Sequence, residues 1–379
     1  MKLIHLSDLH LGKRVNEYSM LEDQQYILKQ ILNIIDDEAP DGVIIAGDVY
    51  DKSIPSAEAV ELFDDFLVRL AERKLKVFII SGNHDSPERL AFGNRLMDAS
   101  GIHLSRVYQG QLQLFSMEDA FGTVDLYLLP FVKPVHVRRF YPEAEIESYT
   151  DAIRTVLKQT VLVPEHRSVL VTHQFVTGAT RSESEELSVG GSDNVDASVF
   201  EGFDYVALGH IHRPQNLDGD RIRYSGTPLK YSFSEAGDQK SVSVVELREK
   251  GNLLVRTVPL EPLRDLVELK GSYAQLTRKG FYDGTSYQED YTHITLTDEE
   301  DVPDAVTKLR VIYRNLMKLD YDNTRTRHTA QISGEDAVET KSPLELFADF
   351  YSQQNGQTLT ANQTEFLRQL IEKIWEEEA

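Results

Sequence analysis

Five short apolar runs in the first part of the chain each end in a cluster of polar residues. The clusters read SDLH at residues 7–10, GDVYD at 47–51, GNHD at 82–85, TH at 172–173 and GHIH at 209–212. Between these runs, apolar residues recur every three or four positions, as they do over residues 19–38 and 57–73. Apolar runs that alternate with amphipathic helices predict an α/β layered core of buried strands.

The polar clusters predict a site at one edge of this core. In open α/β sheets the ligand lies beyond the carboxyl ends of the strands, so five strands would deliver these side chains to one rim. Each cluster alone is more often a turn or a cap. However, five of the eleven histidines of the chain fall in these positions. We therefore expect one shared site rather than five unrelated turns.

The residue types in the clusters indicate a metal centre. The chain has no cysteine, so a metal would be held by nitrogen and oxygen ligands. Imidazole, carboxylate and amide oxygen suit Mn²⁺, Fe²⁺ or Zn²⁺ rather than Ca²⁺ alone. One ion needs fewer ligands than these strand ends offer, and two ions that share a carboxylate would use them all. The candidate ligands are Asp8, His10, Asp48, Asn83, His173, His210 and His212.

Charge and hydropathy narrow the function classes. The net charge of −22 argues against a protein that coats nucleic acid by general electrostatics. It does not exclude a nuclease, because bound metals and a local basic patch can reverse the field at one site. No stretch approaches the length of an apolar membrane span, and the first residues do not read as a signal peptide. A cytoplasmic protein without membrane contact is therefore expected.

The remainder of the chain predicts further domains, as expected for 379 residues. Short alternating strands at residues 221–224, 241–247 and 253–260 are expected to close the first domain, residues 1–263, as edge strands. Residues 264–325 predict a small α+β domain with a strand at 291–296 and a helix at 304–318. A polar linker is expected at 326–341.

Two helices are predicted within residues 342–379. The first follows Ser342 and carries Phe347 and Phe350, and the second carries Phe366 and Leu370. Their apolar faces either pack back on the body of the protein or form a docking surface for a helix of a partner. The pattern leaves both alternatives open.

Taken in chain order, the motifs Asp-x-His, Gly-Asp-x-x-Asp, Gly-Asn-His-Asp, a later histidine and Gly-His-x-His resemble the calcineurin-like metallophosphoesterase superfamily. That resemblance implies a four-layer αββα sandwich that binds two divalent ions, with Mn²⁺ as the expected metal. It also implies which residues share each ion. One ion would be held by Asp8, His10, Asp48 and His212, and the other by Asp48, Asn83, His173 and His210, so that Asp48 bridges both.

The sequences that flank these motifs select a branch of the superfamily. Its protein phosphatases follow Gly-Asp with a Val-Asp-Arg-Gly type of sequence, whereas this chain reads GDVYDKSIPSAEA. The stretches SDLHLGK, GNHDSPERL, ALGHIHRPQ and YSGTPLKYSFSE resemble the SbcD family, the nuclease subunits of bacterial SbcCD complexes. This resemblance covers nearly the whole chain. It implies a double-strand exonuclease and single-strand or hairpin endonuclease that acts in DNA repair, recombination and replication.

The same resemblance implies the partners. The domain at 264–325 would cap the active site and contact DNA, and the terminal helices would dock on an SMC-like ATPase of the SbcC type. Helices predicted at 57–73 and 87–99 would form the seam of a homodimer, although their apolar faces equally permit core packing. Two chains and two ATPase subunits would then form a heterotetramer.

The resemblance also implies individual catalytic roles. His84 would reach the phosphate rather than a metal and would donate the proton to the leaving oxygen. Asp85 either orients His84 or caps the turn, and the sequence leaves both alternatives open. Relatives from archaea and eukaryotes usually carry histidine where Asp51 stands, so no role is transferred to Asp51.

Basic residues near the rim are candidates for contacts with DNA phosphates. Lys13 and Arg14 follow the first cluster closely and are favoured for this role. Arg89 opens the helix after the third cluster and either contacts phosphate or lies on the surface.

Two other functions remain open from the sequence. A small-molecule phosphodiesterase of the same superfamily would not need the second domain or the terminal helices. A non-catalytic scaffold at DNA ends would not need Asp48, Asn83 and His84, which are all intact.

Overall fold

The computed structural model describes residues 1–185, 193–324, 326, 342–355 and 358–377. Two six-stranded sheets pack face to face, and helices cover the outer face of each sheet. The αββα sandwich expected from the sequence is therefore confirmed. A separate three-stranded sheet follows the sandwich in the chain.

In the first sheet four neighbouring strands pair in parallel, and one further strand pairs antiparallel with the neighbour on each of its sides. In spatial order it contains β14 (Leu253–Pro259), β13 (Ser241–Leu247), β1 (Lys2–Leu6), β4 (Gly42–Ala46), β5 (Lys76–Ile80) and β6 (Ile102–Leu104). Successive residues of β4 bury against different layers. Val43 and Ile45 pack with the helices, whereas Ile44 and Ala46 pack against the second sheet. Burial on both faces explains why these strands read as uninterrupted apolar runs.

The second sheet has the same mixed character. In spatial order it contains β11 (Gln215–Asp218), β12 (Ile222–Tyr224), β10 (Tyr205–Gly209), β9 (Arg167–His173), β8 (Gly122–Leu129) and β7 (Gln113–Asp119). A two-stranded ribbon, β2 (Arg14–Val15) and β3 (Tyr18–Ser19), extends from the loop after β1.

The outer layers are helical. The helices of the sandwich are α1 (Leu21–Glu38), α2 (Ala57–Glu72), α3 (Pro87–Leu90), α4 (Asn94–Met97), α5 (Pro134–Arg138) and α6 (Tyr149–Lys158), with 3₁₀ turns at Asp98–Ser100, Ala197–Phe200 and Phe233–Glu235. Helices α1 and α2 bury their apolar faces on the first sheet, and α5 and α6 bury theirs on the second. Ser56 caps α2 by accepting a hydrogen bond from the Ala59 amide.

The small sheet is parallel throughout and consists of β15 (Leu266–Gly271), β16 (Tyr291–Leu296) and β17 (Asn315–Tyr321). Its helices are α7 (Tyr273–Leu276), α8 (Lys279–Tyr282) and α9 (Ala305–Arg310). The helix predicted over 304–318 is wrong beyond Arg310. Tyr313 and Leu316 are fully buried, and the chain from Asn315 onward pairs with β16. Strand pairing in the tertiary structure overrides the helical spacing there.

Two further expectations are corrected by the structure. The helix predicted at 87–99 is broken into α3 and α4, because Gly93 adopts a left-handed conformation with φ of 77° between them. Two of the strands expected at an edge lie inside a sheet: the strand at 241–247 lies between β14 and β1, and the strand at 221–224, seen as β12, lies between β11 and β10. The strands β7 and β8 were not anticipated.

The small sheet is joined to the sandwich beside the loop that follows β1. Arg264 forms an ion pair of 2.9 Å with the buried Asp23, and the hydroxyl of Tyr291 donates to the same carboxylate at 2.8 Å. Tyr18, in β3, donates to the carbonyl of Leu316 at 3.2 Å. The small sheet therefore lies near the carboxyl ends of the strands of the first sheet.

Helices at Pro343–Asn355 and Ala361–Glu377 follow the small sheet. They contact each other through Gln363, which donates to the hydroxyl of Tyr351 at 3.3 Å. Phe350 and Phe366 are 59% and 65% exposed. Of the linker predicted at 326–341, only residue 326 belongs to the described residues. Among the helices described, none is long and apolar enough to cross a membrane.

Candidate metal centre

The loops after β1 and β4 are bonded to each other through their backbones. The amide of Asp8 donates to the carbonyl of Gly47 at 3.1 Å, and the amide of His10 donates to the carbonyl of Asp48 at 2.9 Å. These bonds hold the first two polar clusters side by side at the carboxyl ends of their strands.

Glycines allow the clusters to approach closely. A Cβ atom on Gly82 would lie 2.1 Å from Oδ1 of Asp48, and one on Gly209 would lie 1.8 Å from the carbonyl oxygen of Ala46. Neither position has room for any side chain. The glycine that precedes the polar residues in these clusters is therefore required by packing at the rim.

Backbone strain is concentrated at the same rim. Among the described residues, nine non-glycine residues have positive φ, and four of them are candidate ligands. Their φ values are 52° for Asp8, 44° for His10, 45° for Asp48 and 103° for His210. Residues in this region of conformational space are costly and cluster at functional sites.

The first group of candidate ligands, called the His212 group below, consists of Asp8, His10 and His212. Nε2 of His10 lies 3.0 Å from Nε2 of His212. All three side chains are buried, and ligand atoms of the three lie within 4.8 Å of one another. The two ring nitrogens point at one small volume, as ligands of one ion do.

The second group, called the His173 group below, consists of Asn83, His173 and His210. Oδ1 of Asn83 lies 2.9 Å from Nε2 of His173 and 2.9 Å from Nδ1 of His210. The other ring nitrogen of His173, Nδ1, lies 2.9 Å from the carbonyl oxygen of Ala46.

Asp48 lies between the two groups. Its Oδ2 is 3.6 Å from Nε2 of His10 and 3.3 Å from Nε2 of His173. Its Oδ1 accepts a hydrogen bond of 2.9 Å from the amide of His84. One carboxylate oxygen thus faces both sets of ring nitrogens, which is the position a bridging ligand requires.

The donors and acceptors at the rim fit bound cations. A carbonyl can only accept, so Nδ1 of His173 carries the hydrogen and the lone pair of the neutral ring is on Nε2. That lone pair faces oxygens of Asn83 and Asp48, so a positive charge is favoured between them, supplied either by a bound cation or by a second proton on the ring. Oδ2 of Asp8 is buried and has no hydrogen-bond partner among the described residues. Nitrogen and oxygen ligands of this kind suit Mn²⁺ or a similar transition metal.

The electrostatics of the rim also favour a positive charge at this place. Burial holds the pKa of His10 and of His210 well below the usual range, so both rings are neutral. Burial opposes a charge on His173, but the carboxylate of Asp48 outweighs it and raises the pKa of His173 to about 9. Burial raises the pKa of Asp8 to about 6. Neutral imidazole is the form that binds a metal.

His84 stands beside the His212 group. Its ring meets that of His10 edge to face, with ring centroids 4.8 Å apart. Nδ1 of His84 lies 3.0 Å from the backbone carbonyl of Asp51 and therefore carries a hydrogen. This leaves Nε2 as the position at which the ring gains or loses a proton. The carbonyl of Asp51 orients His84.

The carboxylate of Asp85 is bonded to backbone amides. Its Oδ2 accepts from the amides of Val49 and Gly82 at 3.1 and 2.9 Å, and its Oδ1 accepts from the amide of Tyr50 at 2.9 Å. Of the two alternatives left open by the sequence, the structure supports the structural one. Asp85 ties the loop after β5 to the loop after β4.

The three basic residues considered for DNA contacts occupy different surroundings. Lys13 forms an ion pair of 2.8 Å with Asp51, and both side chains are largely buried. Arg14 is exposed in the ribbon and donates to the carbonyl of Glu17. Arg89 donates to the carbonyl of Ser53 at 2.9 Å.

Sequence reasoning missed the residues behind His212. Ser184 lies 2.6 Å from Nδ1 of His212, and Glu235, fully buried, lies behind Ser184. Burial opposes the charge of Glu235, but His212 and Lys240 outweigh it and hold its pKa well below the usual range. Glu235 ends the stretch YSGTPLKYSFSE, which supports the family resemblance but gave no sign of this role.

Comparison with known proteins assigns the class. The calcineurin-like phosphoesterase family matches residues 1–214, which include every candidate ligand. The chain belongs to this family. The Type 5 capsule protein repressor C-terminal domain family (SbcD_C) matches residues 262–355.

Full-length relatives define the branch. Two proteins named as SbcD subunits of the nuclease SbcCD, from Staphylococcus epidermidis and Staphylococcus saprophyticus, are each 33% identical to the chain. The alignments cover 100% of this chain and 100% and 99% of those proteins. The chain therefore belongs to the SbcD family. A solved dimetal phosphatase from Danio rerio is also similar, with TM-score 0.42 and 13% identity over 69% of this chain and 98% of that one. This weaker likeness adds nothing to the assignment.

Proposed function

We propose that the chain is a two-metal-dependent DNA nuclease that hydrolyses phosphodiester bonds as an exonuclease on duplex ends and an endonuclease on hairpins and single strands. The observation that carries the proposal is the position of Asp48 Oδ2, which faces ring nitrogens of both groups at 3.3 and 3.6 Å. The relatives named as nuclease subunits, aligned over their full length, support DNA as the substrate.

The roles of the residues follow from their positions. Asp8, His10, Asp48 and His212 would hold one ion, and Asp48, Asn83, His173 and His210 would hold the other. When bound, two Mn²⁺ ions would supply Lewis-acid contacts to the phosphate and activate the attacking water. The proposal assigns proton transfer to the leaving oxygen to His84, whose Nδ1 is bonded to the Asp51 carbonyl and whose Nε2 is the titrating atom.

The first test separates metal binding from proton transfer. We expect His84→Ala to keep both Mn²⁺ ions by ICP-MS but to lose about 10²- to 10⁴-fold in DNA cleavage. Asp48→Ala and His210→Ala should lose metal. His166→Ala is the matched control, because His166 pairs with Asp125 at 2.8 Å outside the site. A metal-free His84→Ala protein would contradict the assignment of His84.

The substrate is tested by the choice of DNA. End-labelled duplex, hairpin and single-stranded DNA are incubated with and without Mn²⁺, and the products are compared with hydrolysis of bis-p-nitrophenyl phosphate. Metal-dependent cleavage of duplex ends and hairpins is expected. Hydrolysis of the small ester without cleavage of any DNA would favour a small-molecule phosphodiesterase and contradict the proposal.

The proposal includes partners. The exposed Phe350 and Phe366 on the terminal helices fit docking on an SbcC-type ATPase, and the domain over 264–325 is proposed to contact DNA. Phe92 and Leu96, 83% and 82% exposed between α3 and the end of α4, fit a homodimer seam.

Phe92→Glu should yield a monomer by light scattering, and Phe350→Glu should abolish co-purification with the ATPase. A dimer that survives Phe92→Glu would remove this segment from the seam.

A further inference from the structure

A line of buried polar side chains extends from the metal centre behind His212. Nδ1 of His212 lies 2.6 Å from Oγ of Ser184, and Ser184 is in turn hydrogen-bonded to Oε1 of Glu235. The other oxygen of Glu235 lies 2.6 Å from Nζ of Lys240. Glu235 and Lys240 are 0% and 3% exposed. A buried ion pair is costly to desolvate and adds little stability on average, so its position beside a candidate ligand requires another explanation.

The chemical types of these groups determine which group donates the hydrogen in each hydrogen bond. A carboxylate paired with an ammonium group only accepts, so the hydroxyl of Ser184 donates its single hydrogen to Glu235. The lone pairs of the hydroxyl then face His212, and the hydrogen between them belongs to Nδ1 of the ring. The lone pair of the ring is therefore on Nε2, which lies 3.0 Å from Nε2 of His10.

The backbone of His212 is held by the same two segments of the chain. Oε1 of Glu185 accepts from the amide of His212 at 2.6 Å. Nζ of Lys240 donates to the carbonyl of His212 at 2.9 Å. Charged side chains thus fix the amide and the carbonyl of this residue, while Ser184 fixes its ring.

We propose that Ser184, Glu235 and Lys240 form a positioning relay that fixes the Nδ1–H tautomer of His212 and presents Nε2 to the metal shared with Asp8 and His10. This inference rests on the proposed two-metal function of the site. The relay acts through His212 only, so its residues are positioning residues. Outer hydrogen bonds of this kind orient metal-ligating histidines, and their loss typically weakens metal affinity about 10- to 100-fold.

The principal test is the Ser184→Ala variant with Ser234→Ala as its matched control. Ser234 also bonds the 182–185 turn, by accepting from the amide of Glu183 at 3.1 Å, and it adjoins Glu235 in the chain. In calorimetric Mn²⁺ titrations of the full chain, Ser184→Ala should bind one of the two ions about 10- to 100-fold more weakly. Ser234→Ala should match the wild type, and Ser184→Thr, which keeps the hydroxyl, should restore the affinity.

A second variant reverses the polarity of the relay. In Glu235→Gln the amide oxygen stays with Lys240, so the amide nitrogen faces Ser184. The Ser184 hydroxyl then donates to Nδ1 of His212, and the ring hydrogen moves to Nε2, the proposed ligand atom. We expect this variant to lose more Mn²⁺ affinity than Ser184→Ala.

The tautomer of His212 is measured in metal-free protein. Long-range ¹H–¹⁵N NMR of metal-free protein with labelled histidine, assigned with His212→Gln, reports which ring nitrogen carries the hydrogen. The wild type should show Nδ1–H, and Glu235→Gln should show Nε2–H. A wild-type ring protonated on Nε2, or a Ser184→Ala isotherm equal to that of Ser234→Ala, would overturn the relay. A wild type with the Nδ1–H tautomer that binds no Mn²⁺ would refute the two-metal function and, with it, the role of the relay in metal binding.

Discussion

The two groups of candidate ligands in the metal centre hold their histidines by different means. In the His173 group, the ring of His173 is bonded to a backbone carbonyl, that of Ala46, and the adjoining loops pack through glycines. In the His212 group, the ring of His212 is bonded to the side chain of Ser184, which depends on Glu235 and Lys240. Backbone support cannot be removed by changing a side chain, but it tolerates no added atoms. Side-chain support is sensitive to substitutions at several distant positions.

The largest effect on stability is expected when an added side-chain atom fills the close packing between the loops around the His173 group. Gly82→Ala places a Cβ 2.1 Å from Oδ1 of Asp48 and 2.4 Å from its amide nitrogen, neither of which can move without displacing a loop. We expect a loss of about 4 kcal/mol or more in the free energy of unfolding, measured in urea. Gly237→Ala is the control, because an added Cβ there has no neighbour within 4 Å. Equal stability of the two variants would show that the close packing at Gly82 is not required.

A smaller effect, with a defined pH dependence, is expected at Asp8 in the His212 group. Burial raises the pKa of Asp8 from 3.8 to about 6, so the folded protein binds this proton more tightly than the unfolded chain. The carboxyl therefore favours folding below pH 4, and this contribution is lost as the pH rises through about 6. In chelator, Asp8→Asn should be more stable than the wild type at pH 8 by up to about 3 kcal/mol.

The comparison between pH values is the control for Asp8. The difference between Asp8→Asn and the wild type should shrink towards zero at pH 4. With Mn²⁺ at pH 8 the order should reverse, because only the wild type gains the full free energy of metal binding. A gain that is the same at pH 4 and pH 8 would show that the charge of Asp8 is not its cause.

The smallest of these effects on stability is expected at Asp85, which is held by backbone amides. Asp85→Asn replaces one of the two acceptor oxygens by an amide group that faces a backbone N–H. We expect a loss of about 1 to 2 kcal/mol in urea unfolding. Cleavage by the remaining folded protein should stay near that of the wild type. A large loss of cleavage without loss of stability would return Asp85 to an orienting role for His84.

The local sequence predicted a strand correctly where the residues of that strand alone carry the pattern that defines it. The strands β1, β4, β5, β9 and β10 were found because each is an apolar run buried on both faces and ended by polar residues. The helix expected over 304–318 was wrong beyond Arg310, because the local spacing of apolar residues does not show that β17 pairs with β16. The helix expected over 87–99 was broken at Gly93, whose left-handed conformation ends a helix.

The sequence by itself determined the set of polar residues at the rim and the family to which they belong, because each residue lies at the end of its own strand. Only the tertiary structure decided how they are arranged and supported. It brought Oδ2 of Asp48 between His10 and His173, assigned Asp85 to backbone amides, and placed Ser184 and Glu235 behind His212. These contacts join segments far apart in the chain, and hydrogen bonds between such segments leave no periodic pattern in either one.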